Sequence, residues 1–143
     1  MERKNLLIDS DILIDHFEGR EPNASLLDKI LYGHNCFISV INLYEVSYGI
    51  YYQKLSKDEK EDKIKGILQE WEILPLDNAA VLEAASFMVE LRKKGKPIEI
   101  RDALIGGICL ANNLGIVTGN VSHFKRIPGL KVYSARDLAQ QLK

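Results

Sequence analysis

The sequence predicts an α/β fold, a three-layer sandwich in which helices cover both faces of a central parallel sheet of about five strands. Short apolar segments alternate with helical segments along the chain, which is typical of a parallel sheet. Residues 6–8 form an unbroken apolar run of the kind found in strands buried on both faces. The third strand carries Pro75 and the fifth alternates in polarity, as edge strands do, so right-handed crossovers favour the strand order 3-2-1-4-5.

The boundaries of the elements follow from the polar residues that interrupt the apolar segments. The predicted strands are residues 6–8, 36–40, 73–76, 115–118 and 131–133. A helical pattern starts at Asn42, and side chains that can cap a helix precede most of the other helical segments. These candidate caps are Ser10 or Asp11, Asn23 or Ser25, Ser56, Asp77 or Asn78, and Ser134.

The helix predicted to begin at Asp102, after a loop over residues 98–101, is apolar on every face and should be buried. Gly106 and Gly107 lie within it, although each glycine costs a helix about 1 kcal/mol relative to alanine. Close approach of a neighbouring backbone is a reason to tolerate both glycines, so we expect tight packing against this helix.

Composition limits the classes of function. The 143 residues are 46% apolar and 27% charged, which indicates one globular domain over residues 1–143. The net charge of −1 provides no overall basic field for nucleic acid, so a polyanion has to be held by a local patch or a metal ion. No signal peptide or membrane-spanning stretch is expected. Cys36 and Cys109 lie in apolar sequence, as reduced core thiols of a cytoplasmic protein do.

Acidic residues fall where strands end and helices begin. Asp9 follows the first strand, Glu45 lies in the first turns of the helix after the second, and Asp102 begins the helix before the fourth. Because these points share one edge of a parallel sheet, we expect the three carboxylates to meet there, beside Asn120 after the fourth strand. Carboxylates this close repel one another unless a cation neutralises them, and together with an amide oxygen they suit Mg²⁺ or Mn²⁺. Such an ion can activate water and neutralise charge on a phosphoryl group.

Four segments of the chain together resemble the PIN-domain family, and within it the VapC-type toxins of prokaryotic toxin–antitoxin pairs. They are LLIDSDILID, SVINLYEVSYGI, IRDALIGGICLANNLGIVTGNVSHF and IPGLKVYS, and they cover nearly the whole chain in this order. The resemblance implies a metal-dependent endoribonuclease whose ligands for Mg²⁺ or Mn²⁺ are Asp9, Glu45 and Asp102. It also implies three partners, namely an RNA substrate, a cognate antitoxin protein and a second copy in a homodimer.

The fourth catalytic position departs from the family's pattern. Asn120 stands where an acid is often found, and His123 replaces the acid frequently seen just before the phenylalanine. One negative charge fewer leaves open whether the site takes one metal ion or two. On this hypothesis Asn120 orients a water molecule that attacks the RNA phosphodiester in line with the leaving oxygen, giving 5′-phosphate and 3′-hydroxyl ends.

Further polar residues are assigned supporting roles. Ser10, Asp11 and Thr118 are expected to fix the carboxylates by hydrogen bonds. Basic residues near the predicted site are candidates for holding the RNA backbone. They are Arg92, Lys93, Lys94, Lys96, Arg101, Lys125 and Arg126.

Three other functions fit parts of the sequence. Asp9 and Asp11 form the D-x-D that follows a strand in haloacid-dehalogenase-like phosphatases, but Leu13 stands where that pattern has Thr or Val. A phospho-receiver module would use Asp77 as its acceptor and gives Glu45 no role. A PIN fold with weak or no catalysis that acts only by protein binding also stays open, and metal titration separates it from the nuclease.

Overall fold

The computed structural model describes residues 2–141. The strands are β1 (Asn5–Ile8), β2 (Asn35–Ser39), β3 (Ile73–Leu74), β4 (Gly115–Val117) and β5 (Val132–Tyr133). The helices are α1 (Ser10–Glu18), α2 (Asn23–Gly33), α3 (Val40–Tyr52), α4 (Lys57–Glu70), α5 (Asn78–Lys93), α6 (Ile100–Ala111), α7 (Val121–Phe124) and α8 (Ala135–Gln140).

The strands form one sheet in the order β3-β2-β1-β4-β5, and all neighbouring strands run parallel. This confirms the predicted fold class and strand order. In the central strand, Leu7 pairs with Phe37 of β2 on one side and with Ile116 of β4 on the other. The connections reverse direction between β1 and β4, which is where open parallel sheets bind ligands.

Side chains along β1 alternate between the two faces of the sheet, and each face has its own hydrophobic core. Leu7 packs with Ile105 and Ile108 of α6 on one face of the sheet. Leu6 and Ile8 point to the other face and belong to the core that also contains residues of α1, α2, α3 and α8. Because Leu6, Leu7 and Ile8 are each at most 1% exposed, this apolar part of β1 is buried on both faces, as the sequence predicts.

The packing of α5 on α6 explains the glycine pair. A Cβ on Gly107 would collide with the backbone carbonyl of Ala80 in α5, and a Cβ on Gly106 would collide with the side chain of Ile127. The expected close approach of a neighbouring backbone is therefore confirmed at Gly107.

Several helix starts differ from the predictions. Asp9 caps α1, where Ser10 or Asp11 had been expected, because the Asp9 carboxylate accepts from Ser10 N at 2.8 Å. The predicted caps Asn23 and Ser25 do not cap α2, since Asn23 donates to Asp15 and Ser25 donates to Glu21. The predicted caps Ser56, Asp77 and Ser134 are confirmed.

Three further helical segments were misplaced or missed. The loop predicted over residues 98–101 is wrong at its end, because α6 begins at Ile100 and places Asp102 within its first turn. α3 starts two residues before Asn42, since Ser39 caps it and ends β2. The short helix α7 was not predicted at all.

Two predictions made from the sequence concern the cysteines and membrane-spanning segments. Cys36 and Cys109 are free thiols, and burial raises the pKa of both, to about 12 for Cys36. Both are therefore protonated at neutral pH, as core cysteines are. Within residues 2–141, the chain forms no helix of the length and apolarity needed to cross a membrane.

Candidate active site

Three acidic residues from distant parts of the chain meet at the carboxyl edge of the sheet. Asp9 is the N-cap of α1, Glu45 lies in the second turn of α3, and Asp102 lies in the first turn of α6. Asp9 and Asp102 are each 3% exposed, and the Glu45 side chain is 31% exposed. The parallel topology brings them together because strands end, and the helices that follow begin, at this edge.

The guanidinium group of Arg101 lies between the three carboxylates. Its Nη2 donates to Asp9 Oδ1 at 2.7 Å and to Glu45 Oε1 at 2.6 Å. Its Nε donates to Glu45 Oε2 at 3.0 Å, and its Nη1 donates to Asp102 Oδ1 at 2.8 Å. The predicted meeting of the acids is therefore present, and the cation at its centre is a side chain of the same protein.

Buried hydrogen bonds hold the carboxylates in place. Thr118 Oγ1 donates to Asp9 Oδ2 at 2.8 Å, and Ser10 Oγ donates to Glu45 Oε1 at 2.6 Å. Asn42 is fully buried, and its amide Nδ2 donates to Ser10 Oγ at 2.9 Å and lies 3.3 Å from Asp9 Oδ1. Ser10 and Thr118 thus make the kind of contact expected of them.

Asn42 is a site residue that sequence reasoning missed. Its backbone N–H donates to Ser39 Oγ at 3.1 Å, and its side-chain Oδ1 accepts from the Ser39 backbone N–H at 2.9 Å. This reciprocal pair is a capping box at the start of α3. The Ser-x-x-Asn spacing of Ser39 and Asn42 could have predicted this cap. The buried side-chain amide of Asn42 also contacts the acid cluster.

The segment after β4 completes the site. Asn120 Nδ2 lies 3.3 Å from Asp102 Oδ2 and 2.9 Å from His123 Nδ1. Asp11 Oδ2 accepts from the backbone N–H of Gly119 at 2.9 Å. Asp11 therefore fixes the loop that carries Asn120, and Asn120 lies against the Asp102 carboxylate.

Burial and charge perturb the pKa values of the site. Burial alone would raise the pKa of Glu45, but hydrogen bonds from Arg101 and Ser10 and the charge of Arg101 leave that pKa below its ordinary value. Burial also opposes the charge of Arg101, but hydrogen bonds from its guanidinium to Glu45 and Asp9 raise the pKa above its usual range. For Asp11, burial and the nearby charge of Asp9 raise the pKa. Three carboxylates thus share hydrogen bonds from one guanidinium.

Ligand geometry for a divalent ion is not preformed. In the part of the chain that the structure describes, no group of three or more His, Cys, Asp or Glu side chains is placed so that it could hold a metal ion. The donor chemistry fits such an ion nonetheless, because three carboxylates converge on one positive charge and hard divalent cations prefer oxygen ligands.

The candidate RNA-binding residues separate into two groups. Arg101 is bound to the acids, a contact that sequence reasoning did not foresee. The other candidates are exposed at the end of α5 and after α7, and they are Arg92, Lys93, Lys94, Lys96, Lys125 and Arg126. Arg126 Nη1 donates to the Pro97 carbonyl at 3.1 Å, which joins these two segments. Their contact with RNA stays a prediction.

A parallel sheet with this strand order and acidic residues at its switch point defines a class of protein. Comparison of the sequence with family profiles identifies the same class. The profile described as PIN domain matches residues 6–130, and the chain belongs to the PIN domain family.

Relatives place the chain in the VapC group of that family. It is 32% identical over 95 residues to the tRNA(fMet)-specific endonuclease VapC of Salmonella typhimurium, covering 66% of this chain and 71% of the relative. It is 30% identical over 128 residues to ribonuclease VapC2 of Rickettsia felis, covering 87% of this chain and 92% of the relative. The crystal structure of VapBC2 from Rickettsia felis bound to a DNA fragment from its promoter is similar at a TM-score of 0.75 and 26% identity, covering 91% of this chain and 98% of that one.

Proposed function

We propose that this protein is an endoribonuclease that hydrolyses RNA phosphodiester bonds and is the toxin of a toxin–antitoxin pair. The observation that carries the proposal is the meeting of Asp9, Glu45 and Asp102 around one cation at the switch point of a PIN-domain sheet. The VapC relatives support RNA as the substrate class, since two of them are a ribonuclease and a tRNA(fMet)-specific endonuclease.

The proposed cofactor is Mg²⁺ or Mn²⁺, held by Asp9, Glu45 and Asp102. When bound, it would supply activation of water and neutralisation of charge on the phosphoryl group. The donor set supports this assignment because it consists of carboxylates and has no soft ligand, which favours a hard cation.

The neighbouring side chains hold and orient the reacting groups. Thr118 and Asn42 hold the Asp9 carboxylate, and Ser10 holds that of Glu45. The Asn120 amide, which lies against Asp102, is proposed to orient the attacking water in line with the bond from phosphorus to the leaving 3′ oxygen. Breaking that bond gives 5′-phosphate and 3′-hydroxyl ends.

The surroundings of Asp9 argue against the phosphatase alternative. A carboxylate that attacks phosphorus needs an accessible oxygen. Asp9 is 3% exposed, its Oδ1 accepts from Ser10 N and Arg101 Nη2, and its Oδ2 accepts from Thr118 Oγ1. Both oxygens are thus held as those of a fixed ligand or counter-ion are.

The proposed protein partner is an antitoxin, which is supported by the VapBC complexes among the similar solved structures. A cavity of about 250 Å³ between α1, α3 and α4 offers an apolar surface for a helix of that partner. Its lining includes Phe17, Val46, Ile50 and Ile67. Gly49 and Gly66 also line it, and a Cβ added at either glycine would meet no atom within 4 Å.

The homodimer implied by the family stays a proposal. Tyr44, Tyr48 and Tyr52 form a row on the exposed face of α3, and the rings of Tyr48 and Tyr52 are stacked with centroids 6.4 Å apart. Exposed aromatic rows of this kind are common at protein interfaces, so we propose this face of α3 for contact with a second copy.

The decisive test compares RNA cleavage by the wild type with Asp9→Asn and Asp102→Asn, with Mg²⁺ or Mn²⁺ and with EDTA. Each variant removes a charge at the acid cluster while keeping the size of the side chain, so we expect at least a hundredfold loss of cleavage in both, an order typical of essential charged groups. EDTA should abolish cleavage by the wild type.

Asp62→Asn is the matched control, because Asp62 is an exposed acid on α4 and its loss should leave cleavage unchanged. Circular dichroism establishes that all variants are folded. If Asp9→Asn and Asp102→Asn are folded and still cleave RNA at the wild-type rate, the proposed function is wrong.

A further inference from the structure

We propose that Arg101 is a positioning residue that holds the three carboxylates together in the metal-free protein and competes with the divalent ion for them. The inference rests on the proposed function, because it concerns the same acids. It adds that metal binding has to displace a side chain of this protein, so that Arg101 sets the metal concentration at which the site fills.

The competition follows from which oxygens Arg101 uses. Its guanidinium takes Asp9 Oδ1, Asp102 Oδ1 and both oxygens of Glu45. The remaining oxygens are held elsewhere, Asp9 Oδ2 by Thr118 and Asp102 Oδ2 by Asn120. An ion shared by the three carboxylates has to bind the oxygens that face their common centre. These are the oxygens already bound by Arg101, so the guanidinium and the ion exclude each other.

The position of Arg101 shows that the acids are what retains its side chain. It lies in the first turn of α6, where the positive end of the helix dipole disfavours a cation. Within residues 2–141, every hydrogen bond of its guanidinium goes to one of the three carboxylates. The side chain is 29% exposed, so it reaches solvent at the mouth of the site. Among the described residues, no other hydrogen bond or ion pair of the guanidinium would hold it once a stronger cation binds the acids.

Charge favours the exchange. Three carboxylates face a single guanidinium. A divalent ion neutralises this excess better than one positive charge does. The freed Arg101 remains next to Asp102 in the chain, so its guanidinium becomes available to a phosphate of bound RNA. Arg101 would then hold the RNA backbone, as predicted from the sequence, but only after the metal ion has bound.

The test is a Mn²⁺ titration without RNA, in which electron paramagnetic resonance measures free Mn²⁺. Arg101→Met removes the competing guanidinium and should bind Mn²⁺ about tenfold more tightly than the wild type, the effect of one charge-assisted hydrogen bond. Arg101→Lys keeps the charge but cannot bind both oxygens of Glu45, so its affinity should fall between the two. Arg20→Met is the matched control, because it removes the same charge after the far end of α1. The Arg20 side chain forms an ion pair with Asp15 there, away from the acids, so the Mn²⁺ affinity of this variant should equal that of the wild type.

A second readout is the thermal stability of the metal-free protein. Arg101→Met should melt below the wild type without metal, because three carboxylates are left unneutralised, and should regain stability at lower Mn²⁺ concentrations than the wild type needs. If Arg101→Met does not fold, Arg101→Lys is the test. Tighter Mn²⁺ binding by Arg101→Lys than by the wild type supports the inference, and equal or weaker binding overturns it.

The outcomes distinguish the inference from the proposed function. Equal or weaker Mn²⁺ binding by the Arg101 variants than by the wild type overturns the inference and leaves the nuclease proposal standing. If wild type and folded Arg101 variants all bind no more Mn²⁺ than Asp102→Asn does, the proposed metal site itself is wrong, and the inference falls with it.

Discussion

At the scale of single residues, His34 is a buried histidine whose neutral form the fold requires. It is 2% exposed, and its Nδ1 accepts from the backbone N–H of Lys4 at 2.9 Å. Burial, together with the charges of Lys4 and Arg3, lowers its pKa below the ordinary value. Protonation would remove the acceptor and place a third positive charge beside those of Lys4 and Arg3.

The stability of the protein should therefore depend on pH through His34. A histidine whose pKa is lower in the folded than in the unfolded state contributes stability that is fully present above the unfolded pKa of about 6.5 and is lost as pH falls. We expect the free energy of unfolding in urea to fall between pH 7 and pH 5 more steeply for the wild type than for His34→Asn. Between pH 7 and pH 9 the two proteins should show parallel curves. Equal slopes below pH 7 would mean that His34 is not held neutral by the fold.

The residues of the active site show what a sequence can predict and what it cannot. Asp9, Glu45 and Asp102 could be predicted to meet because their positions at strand ends and helix starts follow from topology. Arg101 could not be predicted to lie among them, since the direction of a long flexible side chain depends on its neighbours in space. In the sequence it is a cation beside an acid, as many surface residues are.

At the scale of elements, the contact of α5 with α6 depends on Gly107. A methyl group there would meet the Ala80 carbonyl, which is backbone, and would lie 3.1 Å from the Ala84 Cβ. Gly107→Ala should destabilise the protein by roughly 1–3 kcal/mol, as overpacking does, although alanine is the better helix former.

Gly106→Ala is the comparison for this prediction. Its methyl group would meet the end of the Ile127 side chain, which can rotate away, so its effect should be smaller. Urea unfolding measures both variants. A Gly107→Ala variant as stable as the wild type would show that α5 can shift to accommodate a methyl group at no cost.

The starts of helices were the least predictable part of the fold. Residues 9–11 are all of types that cap helices, and the side chain that caps α1 is that of Asp9, one of the three acids that Arg101 binds. Asn and Ser are residue types that often cap helices, but the side chains of Asn23 and Ser25 each form a hydrogen bond with an acid earlier in the chain. Propensity therefore identified that a helix begins, while tertiary contacts selected the residue.

At the scale of the whole molecule, the active site and the proposed antitoxin surface use different parts of the same helices. Asp9 caps the N-terminus of α1 and Glu45 lies in the second turn of α3, whereas residues further along both helices line the cavity together with α4. Glycine in the middle of a helix is unfavourable, yet Gly49 and Gly66 face open space there. Room for a close-packed partner helix would account for both glycines.

Filling the cavity should therefore separate inhibition from catalysis. Gly66→Leu places a large side chain where the partner helix is proposed to lie and does not touch the acids, so RNA cleavage should stay at the wild-type rate. Its affinity for the cognate antitoxin, measured by calorimetry, should fall at least tenfold, which corresponds to about 1.4 kcal/mol. Lys65→Leu adds the same side chain to an exposed position of α4 outside the cavity and should bind the antitoxin as the wild type does. Unchanged affinity of Gly66→Leu would place the antitoxin on another face, and the row of tyrosines on α3 would then be the next surface to test.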